Sequence, residues 1–282
     1  MFWEYIKAII YGFIEGITEW LPISSTGHLI LLEEALRIDI GASDRLTEQF
    51  SGMFDVVIQL GAILAVLFMY SKELIPLGKR KKDVFSLWQK LILATIPAAI
   101  IGLGADIMCE KYFGVDLDTL LFNPKTVASA LIVYGILFIL VEKLTAHSKK
   151  DKDITPRSAL AIGFFQSLAI IPGTSRSGAT ILGARILGIP REKAARFSFF
   201  AAIPVIAAAS LLKIYDFAKF TASSAEALSP EAYLILLTAA LTAFLLSLAA
   251  IRFLTDFVKK HTFIPFGIYR IVLGIAVLIF IK

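Results

Sequence analysis

The chain has 282 residues, of which 57% are hydrophobic and 18% charged, and its mean hydropathy is +0.78. This composition excludes an ordinary soluble domain and is typical of a helical protein that crosses a membrane several times. The net charge of +5 comes without a Lys/Arg-rich helix that carries interleaved aromatic residues, so nucleic-acid binding is not expected. The single cysteine, Cys109, excludes an internal disulfide and a CxxC metal or redox motif.

The first apolar segment, residues 2–36, is interrupted by the turn Pro-Ile-Ser-Ser-Thr-Gly at residues 22–27. Each half is too short to span a bilayer comfortably, because a span takes roughly 20 helical residues. Proline removes a backbone donor, and the hydroxyl residues after it can cap a new helix. Non-helical backbone at membrane depth is tolerated only inside protein or beside water. We therefore predict a helical hairpin that enters the membrane and returns.

Two carboxylates, Glu15 and Glu19, precede this turn, and their spacing of four places them on one helix face. Each charge at membrane depth costs about 3 kcal/mol. A shared proton, a divalent cation or a cationic partner must compensate it, unless both residues lie at a wet membrane edge. Ligation by oxygen alone favours Mg²⁺ or Ca²⁺ over zinc.

Three hydroxyl residues and a histidine follow, namely Ser24, Ser25, Thr26 and His28. One hydroxyl must cap the second half-helix, so two hydroxyl groups remain whose role is not explained by capping. The N-terminus of a helix offers free N–H groups and a positive dipole end to an anion. We predict that His28, in the first turn beside Ser25, has a catalytic or phosphate-contacting role. The alternative is a structural histidine.

Three uninterrupted apolar stretches come next, at about 54–71, 88–106 and 126–143, and each is a predicted transmembrane helix. Asp55 and Gln59 open the first of them, again four residues apart. They either support a polar site or mark a solvated helix end.

A second interrupted segment, residues 157–188, carries Pro-Gly-Thr-Ser-Arg-Ser-Gly at residues 172–178. The charge of Arg176 is energetically unfavourable inside an apolar hairpin unless it faces an anion. Its planar guanidinium suits bidentate contact with phosphate. The alternative is a structural salt bridge to a carboxylate of the first hairpin. Thr180 follows one turn later and either adds a hydroxyl to the same face or bonds to its own helix.

The last apolar stretches, at about 196–213, 233–251 and 264–281, bring the predicted transmembrane helices to six. Loops rich in Lys and Arg lie on the cytoplasmic side of membranes. The basic loops are 72–83, 143–157 and 252–261, and the acidic loops between them are 107–125 and 214–231. This alternation holds only if the second interrupted segment re-enters the membrane from the cytoplasm. By the same logic, the first hairpin and both termini lie outside.

The two interrupted segments resemble each other. The stretches "GFIEGITEWLPISSTGHLI" from Gly12 and "GFFQSLAIIPGTSRSGATI" from Gly163 share Gly-Phe, a polar fourth residue, Pro and a hydroxyl-rich turn that ends in Gly. Three spans follow each copy, and an odd number of crossings inverts the second. We predict an all-α polytopic membrane protein with an inverted-topology repeat in one membrane domain, 1–282. Repeat 1 covers about 2–143 and repeat 2 about 157–281.

Opposed helix N-termini with two carboxylates, a Ser/His pair and an arginine indicate phosphate chemistry in a membrane. The motifs "EGITEWLPISSTGH" and "PGTSRSGAT" resemble the two signatures of the bacterial undecaprenyl-diphosphate phosphatases, the bacitracin-resistance family. The stretch "FDVVIQLGAILAV" is also similar to its family counterpart, and order and spacing agree along essentially the whole chain. Loops 37–52 and 107–125 match nothing in that pattern.

The resemblance implies an enzyme of the bacterial plasma (inner) membrane that hydrolyses undecaprenyl diphosphate to the monophosphate and so recycles the lipid carrier of cell-wall synthesis. It also implies a divalent metal and an active site that receives its substrate from the outer leaflet. On matching positions, Glu15 and Glu19 would handle metal or proton, and Ser25 and His28 would be the nucleophile and its partner. The candidate phosphate contacts are Arg176, Ser175, Thr180, Ser24, Thr26 and Ser177.

A transporter or flippase of a phosphorylated lipid is the alternative, since inverted repeats with broken helices also serve alternating access. A transporter needs no nucleophile, so the Ser25/His28 pair favours the enzyme. Attack by Ser25, attack by His28 and attack by metal-activated water all fit the same residues. The oligomeric state is open, with a homodimer as one alternative.

Overall fold

The architecture is all-α in the part of the chain that the computed structural model describes, residues 2–76, 81–115, 117–146, 151–224 and 226–280. This confirms the predicted class. The helices are α1 Phe2–Thr18, α2 Ser25–Leu36, α3 Asp44–Met69, α4 Ser71–Leu74, α5 Lys81–Phe113, α6 Leu117–Leu121, α7 Pro124–Thr145, α8 Pro156–Ser167, α9 Arg176–Ile186, α10 Arg191–Ser224, α11 Pro230–Lys260 and α12 Ile264–Phe280; a 3₁₀ turn, Leu168–Ile170, follows α8.

Five of the helices, α3, α5, α7, α10 and α11, are long and apolar enough to cross a membrane. They confirm five of the six predicted spans and establish a multi-pass membrane protein. The sixth, α12, has 17 described residues, which is about the shortest helix that spans a bilayer. Parts of two basic loops used to predict the topology, residues 77–80 and 147–150, lie outside the described residues.

Both interrupted segments are hairpins whose ends lie together. At the ends of the first, Lys7 Nζ donates to the carbonyl of Arg37 at 2.7 Å, and the amide of Asp39 donates to Glu4 Oε2 at 3.0 Å. At the ends of the second, Lys152 Nζ donates to the carbonyl of Leu187 at 3.2 Å. Each segment therefore enters and leaves at one end of the bundle, as predicted for re-entrant hairpins.

The two hairpins enter from opposite ends of the bundle. Beside the first hairpin, Ser43 at the start of α3 donates to Glu226 before α11, at 2.8 Å. Beyond the other end of α3, Glu73 forms an ion pair with Arg196 in the first turns of α10. That end also holds the ends of the second hairpin, because Lys193 of α10 bonds to Asp153 ahead of α8 at 2.6 Å.

Close helix packing holds each hairpin in the bundle. A Cβ atom at Gly12 would lie 2.3 Å from the carbonyl oxygen of Ala239 in α11, and one at Gly163 would lie 2.5 Å from that of Ala94 in α5. Only glycine allows these backbones to approach so closely. The residues that open the two similar sequence stretches thus make equivalent contacts with opposite halves. The inverted repeat itself stays a prediction.

Candidate active site

The two hairpin tips meet inside the bundle, and each begins its second half-helix in the same way. The Ser24 side chain accepts a hydrogen bond from the Gly27 amide at 3.2 Å, and that of Ser175 accepts one from the Gly178 amide at 3.1 Å. Their φ angles of 75° and 70° are the positive values found at non-glycine residues in the described chain. Such backbone costs about 1–3 kcal/mol and clusters at functional sites.

Glu19 links the two tips. Its Oε2 accepts a hydrogen bond of 2.7 Å from Ser25 Oγ, and its Oε1 accepts one of 2.6 Å from Arg176 Nη2. Ser25 and Glu19 are 7% and 6% exposed, which excludes a wet membrane edge for this carboxylate. The structure therefore contains an ion pair between Arg176 and Glu19. This is the salt bridge to the first hairpin that was the alternative prediction for Arg176.

Arg176 is held by a second partner that the sequence does not reveal. Its Nη1 donates to the carbonyl of Ser198 in α10 at 2.6 Å, whereas its buried Nε has no partner. Thr180 Oγ1 lies 2.7 Å from the Ser198 hydroxyl and is also within hydrogen-bond distance of carbonyls of its own helix, including that of Ser177 at 3.0 Å. Thr180 therefore contacts the same residue, Ser198, that binds Arg176.

A cavity of about 110 Å³ opens between the tips. One half of its wall is polar and the other is apolar, as suits a lipid that carries a charged headgroup. The polar half consists of Glu19, Ser25, Thr26, Gln59, Ser175 and Arg176, and the apolar half includes Phe122, Ile170, Ile171 and Ile206.

Several predicted residues lie outside this wall. Ser24 is the buried cap, and Ser177 Oγ bridges the tips by donating to the Leu21 carbonyl at 3.3 Å. Asp55 and Gln59 lie inside α3, which begins at Asp44, so the prediction that they open this span is wrong. Asp55 borders a separate, smaller cavity with Tyr11, and only Gln59 of the two lines the site. These three polar residues shape or surround the site without lining it.

The structure does not bring His28 into contact with Ser25. Its Nδ1 lies 2.7 Å from the carbonyl oxygen of Ser24 and its Nε2 lies 2.7 Å from the Tyr269 hydroxyl, whose ring stacks on the imidazole. Two residues of α2 lie between Ser25 and His28, and the serine side chain bonds to Glu19 instead. A catalytic role for His28 stays a prediction.

Glu15 is fully buried, and neither of its carboxylate oxygens has a hydrogen-bond partner among the residues that the structure describes. An uncompensated charge at this depth is costly, so the carboxylate fits a cation or a proton held between it and Glu19. The described residues contain no group of three or more His, Cys, Asp or Glu placed to hold a metal. The carboxylates available here are therefore at most the one or two with which proteins commonly hold Mg²⁺, and the metal stays a prediction.

Arg270 of α12 is a further residue that the sequence analysis missed. It is 0% exposed, and within the described part of the chain its hydrogen bonds go to backbone carbonyls and to no carboxylate. Its guanidinium donates to the carbonyls of Pro22 at 3.2 Å, Gly173 at 2.8 Å and Thr174 at 2.9 Å. It therefore ties the two tips together through their backbones. A single charged residue inside the apolar stretch 264–281 is the signal that could have identified it.

The fold and the cavity define a polytopic helical membrane protein with a polar site between two re-entrant hairpins. Residues 8–276 match the family described as Bacitracin resistance protein BacA, and the chain belongs to that family.

Similar proteins named undecaprenyl-diphosphatase cover nearly the whole chain. The protein from Lachnoclostridium phytofermentans is 47% identical over 98% of this chain and 96% of its own. That from Enterococcus faecalis is 48% identical over 97% and 95%, and that from Acetivibrio thermocellus is 48% identical over 98% and 97%. The resemblance found in the motifs is confirmed.

Replacing Arg270 tests whether it positions the tips. Arg270→Met leaves three buried carbonyls without a donor, so we expect the free energy of unfolding to fall by about 3 kcal/mol or more. Arg270→Lys keeps a donor but loses the fork, and should restore part of this loss. The measurement is the thermal unfolding midpoint in detergent.

The matched control is Arg252→Met, because Arg252 is exposed. That change should alter stability by no more than about 0.5 kcal/mol. An Arg270→Met protein that melts like the wild type would show that the tips do not depend on this guanidinium.

Proposed function

We propose that this membrane protein hydrolyses undecaprenyl diphosphate to undecaprenyl phosphate and inorganic phosphate, which returns the lipid carrier to cell-wall peptidoglycan synthesis. The observation that carries the proposal is the array Ser25–Glu19–Arg176 on the polar wall of a half-apolar cavity. A nucleophile, a base and a phosphate-binding cation stand there in contact. Family membership and the names of the relatives point to the same reaction.

Ser25 is the nucleophile in this proposal. Its hydroxyl already donates to Glu19 at 2.7 Å, which is the geometry of a general base beside its nucleophile. As the proton passes to Glu19, Ser25 Oγ attacks the terminal phosphorus and the bond from that phosphorus to the bridging oxygen breaks. Undecaprenyl phosphate leaves. Water then hydrolyses the phosphoserine, and Ser25 regains its proton from Glu19.

Arg176 changes partner when the substrate arrives. A diphosphate competes with Glu19 for the guanidinium, because a planar fork bonds well to phosphate. Loss of its bond to Arg176 leaves Glu19 more basic toward Ser25. The amide ends of α2 and α9 add partial positive charge at the same place. Binding of the substrate thus activates the base.

Glu15, together with Glu19, would hold the divalent cation, Mg²⁺ or Ca²⁺. When bound, it would supply charge neutralisation for the diphosphate oxygens. What supports this part of the proposal is the pair of unpartnered, buried oxygens on Glu15.

The active site faces the outer side of the bacterial plasma membrane in this proposal. The support is the charge pattern of the loops, since the described parts of the basic loops lie at the end of the bundle opposite the first hairpin. The lipid diphosphate would then enter from the outer leaflet.

The first test is release of inorganic phosphate from undecaprenyl diphosphate by purified protein in detergent, where no gradient exists to drive a transporter. Ser25→Ala should abolish release, because the attacking oxygen is gone. Arg176→Lys keeps the ion pair with Glu19 but loses the fork, so kcat should fall about 100- to 1,000-fold with little change in melting temperature.

Ser210→Ala is the control for a buried serine that lies away from the cavity, and it should retain activity. A wild-type protein that binds the lipid without releasing phosphate would favour the transporter. A fully active Arg176→Lys protein would leave Arg176 with a structural role only.

A second test concerns the cation. If Glu15 binds it, Mg²⁺ should raise the thermal unfolding midpoint of the wild-type protein, because a ligand that binds only the folded state stabilises it. Glu15→Gln should remove most of that shift and raise the Mg²⁺ concentration needed for activity. An unchanged shift and metal requirement in Glu15→Gln and Glu19→Gln would leave proton transfer as the role of these carboxylates.

A third test fixes the orientation. In a Cys109→Ser background, single cysteines at the exposed positions Ala42 and Ala227 should react with an impermeant thiol reagent in intact cells. Cysteines at the exposed positions Lys72 and Lys260 should react only after permeabilisation. Labelling in the reverse pattern would place the active site on the cytoplasmic side. The elution volume of the same preparations in detergent separates a monomer from a homodimer.

A further inference from the structure

A second, larger cavity lies beside the active-site cavity. It is a groove of about 420 Å³ between α7 and the tip of the second hairpin. One face of α7 forms its long wall, with residues spaced by three or four positions. The wall of the groove includes Ser129, Ala130, Val133 and Tyr134 of α7 and Ile171 of the hairpin tip.

The groove adjoins the active-site cavity at one residue. Ile171 forms part of the wall of both cavities and is 39% exposed. On one side of this side chain lies the apolar half of the active-site cavity. On the other side lies the wall of α7, where Val133 is 52% exposed. Ile171 is therefore the side chain that a molecule with its charged end beside Arg176 would have to pass to place its apolar part in the groove.

The depth of the groove suits a hydrocarbon chain. Val133 stands nine residues after Pro124, the first residue of α7, which is about 14 Å along a helix axis. The hydrocarbon core of a bilayer is about 30 Å thick, so the groove runs from the end of α7 toward the middle of the membrane. Lys125 lies at its outer rim, where a long stem can follow the apolar wall while the ammonium reaches the polar interface.

The floor of the groove is tied to the catalytic tips. The ring of Tyr134 is 8% exposed, and the guanidinium of Arg270 lies 5.6 Å from its centre. The same guanidinium holds the backbone of both tips. The position of the groove relative to Ser25 is therefore set by the contacts that assemble the active site.

We propose that this groove binds the isoprenoid chain of the substrate, in the units next to the diphosphate, and so aligns the headgroup with Ser25. The inference rests on the proposed function, since it names where the tail of that substrate lies. It commits to one occupant, the polyprenyl chain, and a bulk phospholipid chain in the same groove is an outcome that overturns it.

Val133→Trp tests the groove by filling it. We expect kcat/KM for undecaprenyl diphosphate to fall about tenfold, because isoprene units lose their apolar contact surface. Leu140→Trp is the matched control. Leu140 is 48% exposed on the same face of α7, two turns further along, and does not line the groove. An unchanged kcat/KM in Val133→Trp, with a wild-type melting temperature, contradicts the proposal.

A measurement on the unmodified protein gives an independent answer. Farnesyl diphosphate with a photoreactive diazirine on its last isoprene unit is bound and irradiated, and the labelled peptide is mapped by mass spectrometry. Labels on residues 126–134, lost when undecaprenyl diphosphate competes, support the groove. Labels around Ile206, or labels in α7 that undecaprenyl diphosphate does not displace, overturn it. Failure of the proposed function would show differently, as no phosphate release by the wild-type protein.

Discussion

The buried carboxylate of Glu19 is the constraint on which the rest of the site depends. A charge inside a membrane protein is tolerated only with a partner, and removing one member of a buried pair costs about 3–5 kcal/mol. Here the partners are Ser25 from the same hairpin and Arg176 from the other. Since the pair spans the contact between the hairpins, each tip needs the other to be stable. The polar tips can therefore exist at membrane depth only as a unit.

The remaining polar contacts follow from that requirement. Broken helices expose backbone groups that lipid cannot satisfy. Ser24 and Ser175 supply the caps for the amides that begin the new half-helices, and Arg270 supplies donors for the carbonyls that precede them. The backbone strain at the two serines is balanced by these bonds. Matching the tips at Gly27 and Gly178 also aligns Ser25 with Arg176, so equivalent positions present a serine hydroxyl on one side and a guanidinium on the other.

Much of the fold can be predicted from the sequence, because hydropathy and helix-breaking residues act locally. Pro22 and Pro172 lie in the breaks of both hairpins, and the loop charges indicate re-entry. The helix ends are less predictable. The stretch at about 88–106 becomes a helix from Lys81 to Phe113, because hydropathy detects only the apolar part of a helix. The rotation of helices that are apolar all round is not encoded by periodicity. The contacts of Ser198 and Arg270 therefore could not be predicted from the sequence. The same holds for the contact of Ser25 with Glu19 rather than with His28.

Arg270 has a consequence for how the protein is made. It lies in the last helix of the chain, whereas the carbonyl of Pro22 that it binds is among the first parts to enter the membrane. During synthesis the first hairpin must wait for Arg176 to pair with Glu19 and then for Arg270 to bond the carbonyl of Pro22. The nascent hairpin must therefore be shielded from lipid, by the insertion machinery or by water, until nearly the whole chain has been translated. Assembly of the active site is thus the final event of membrane insertion, and a chain that stops before α12 has every predicted catalytic residue but no means of holding them in register.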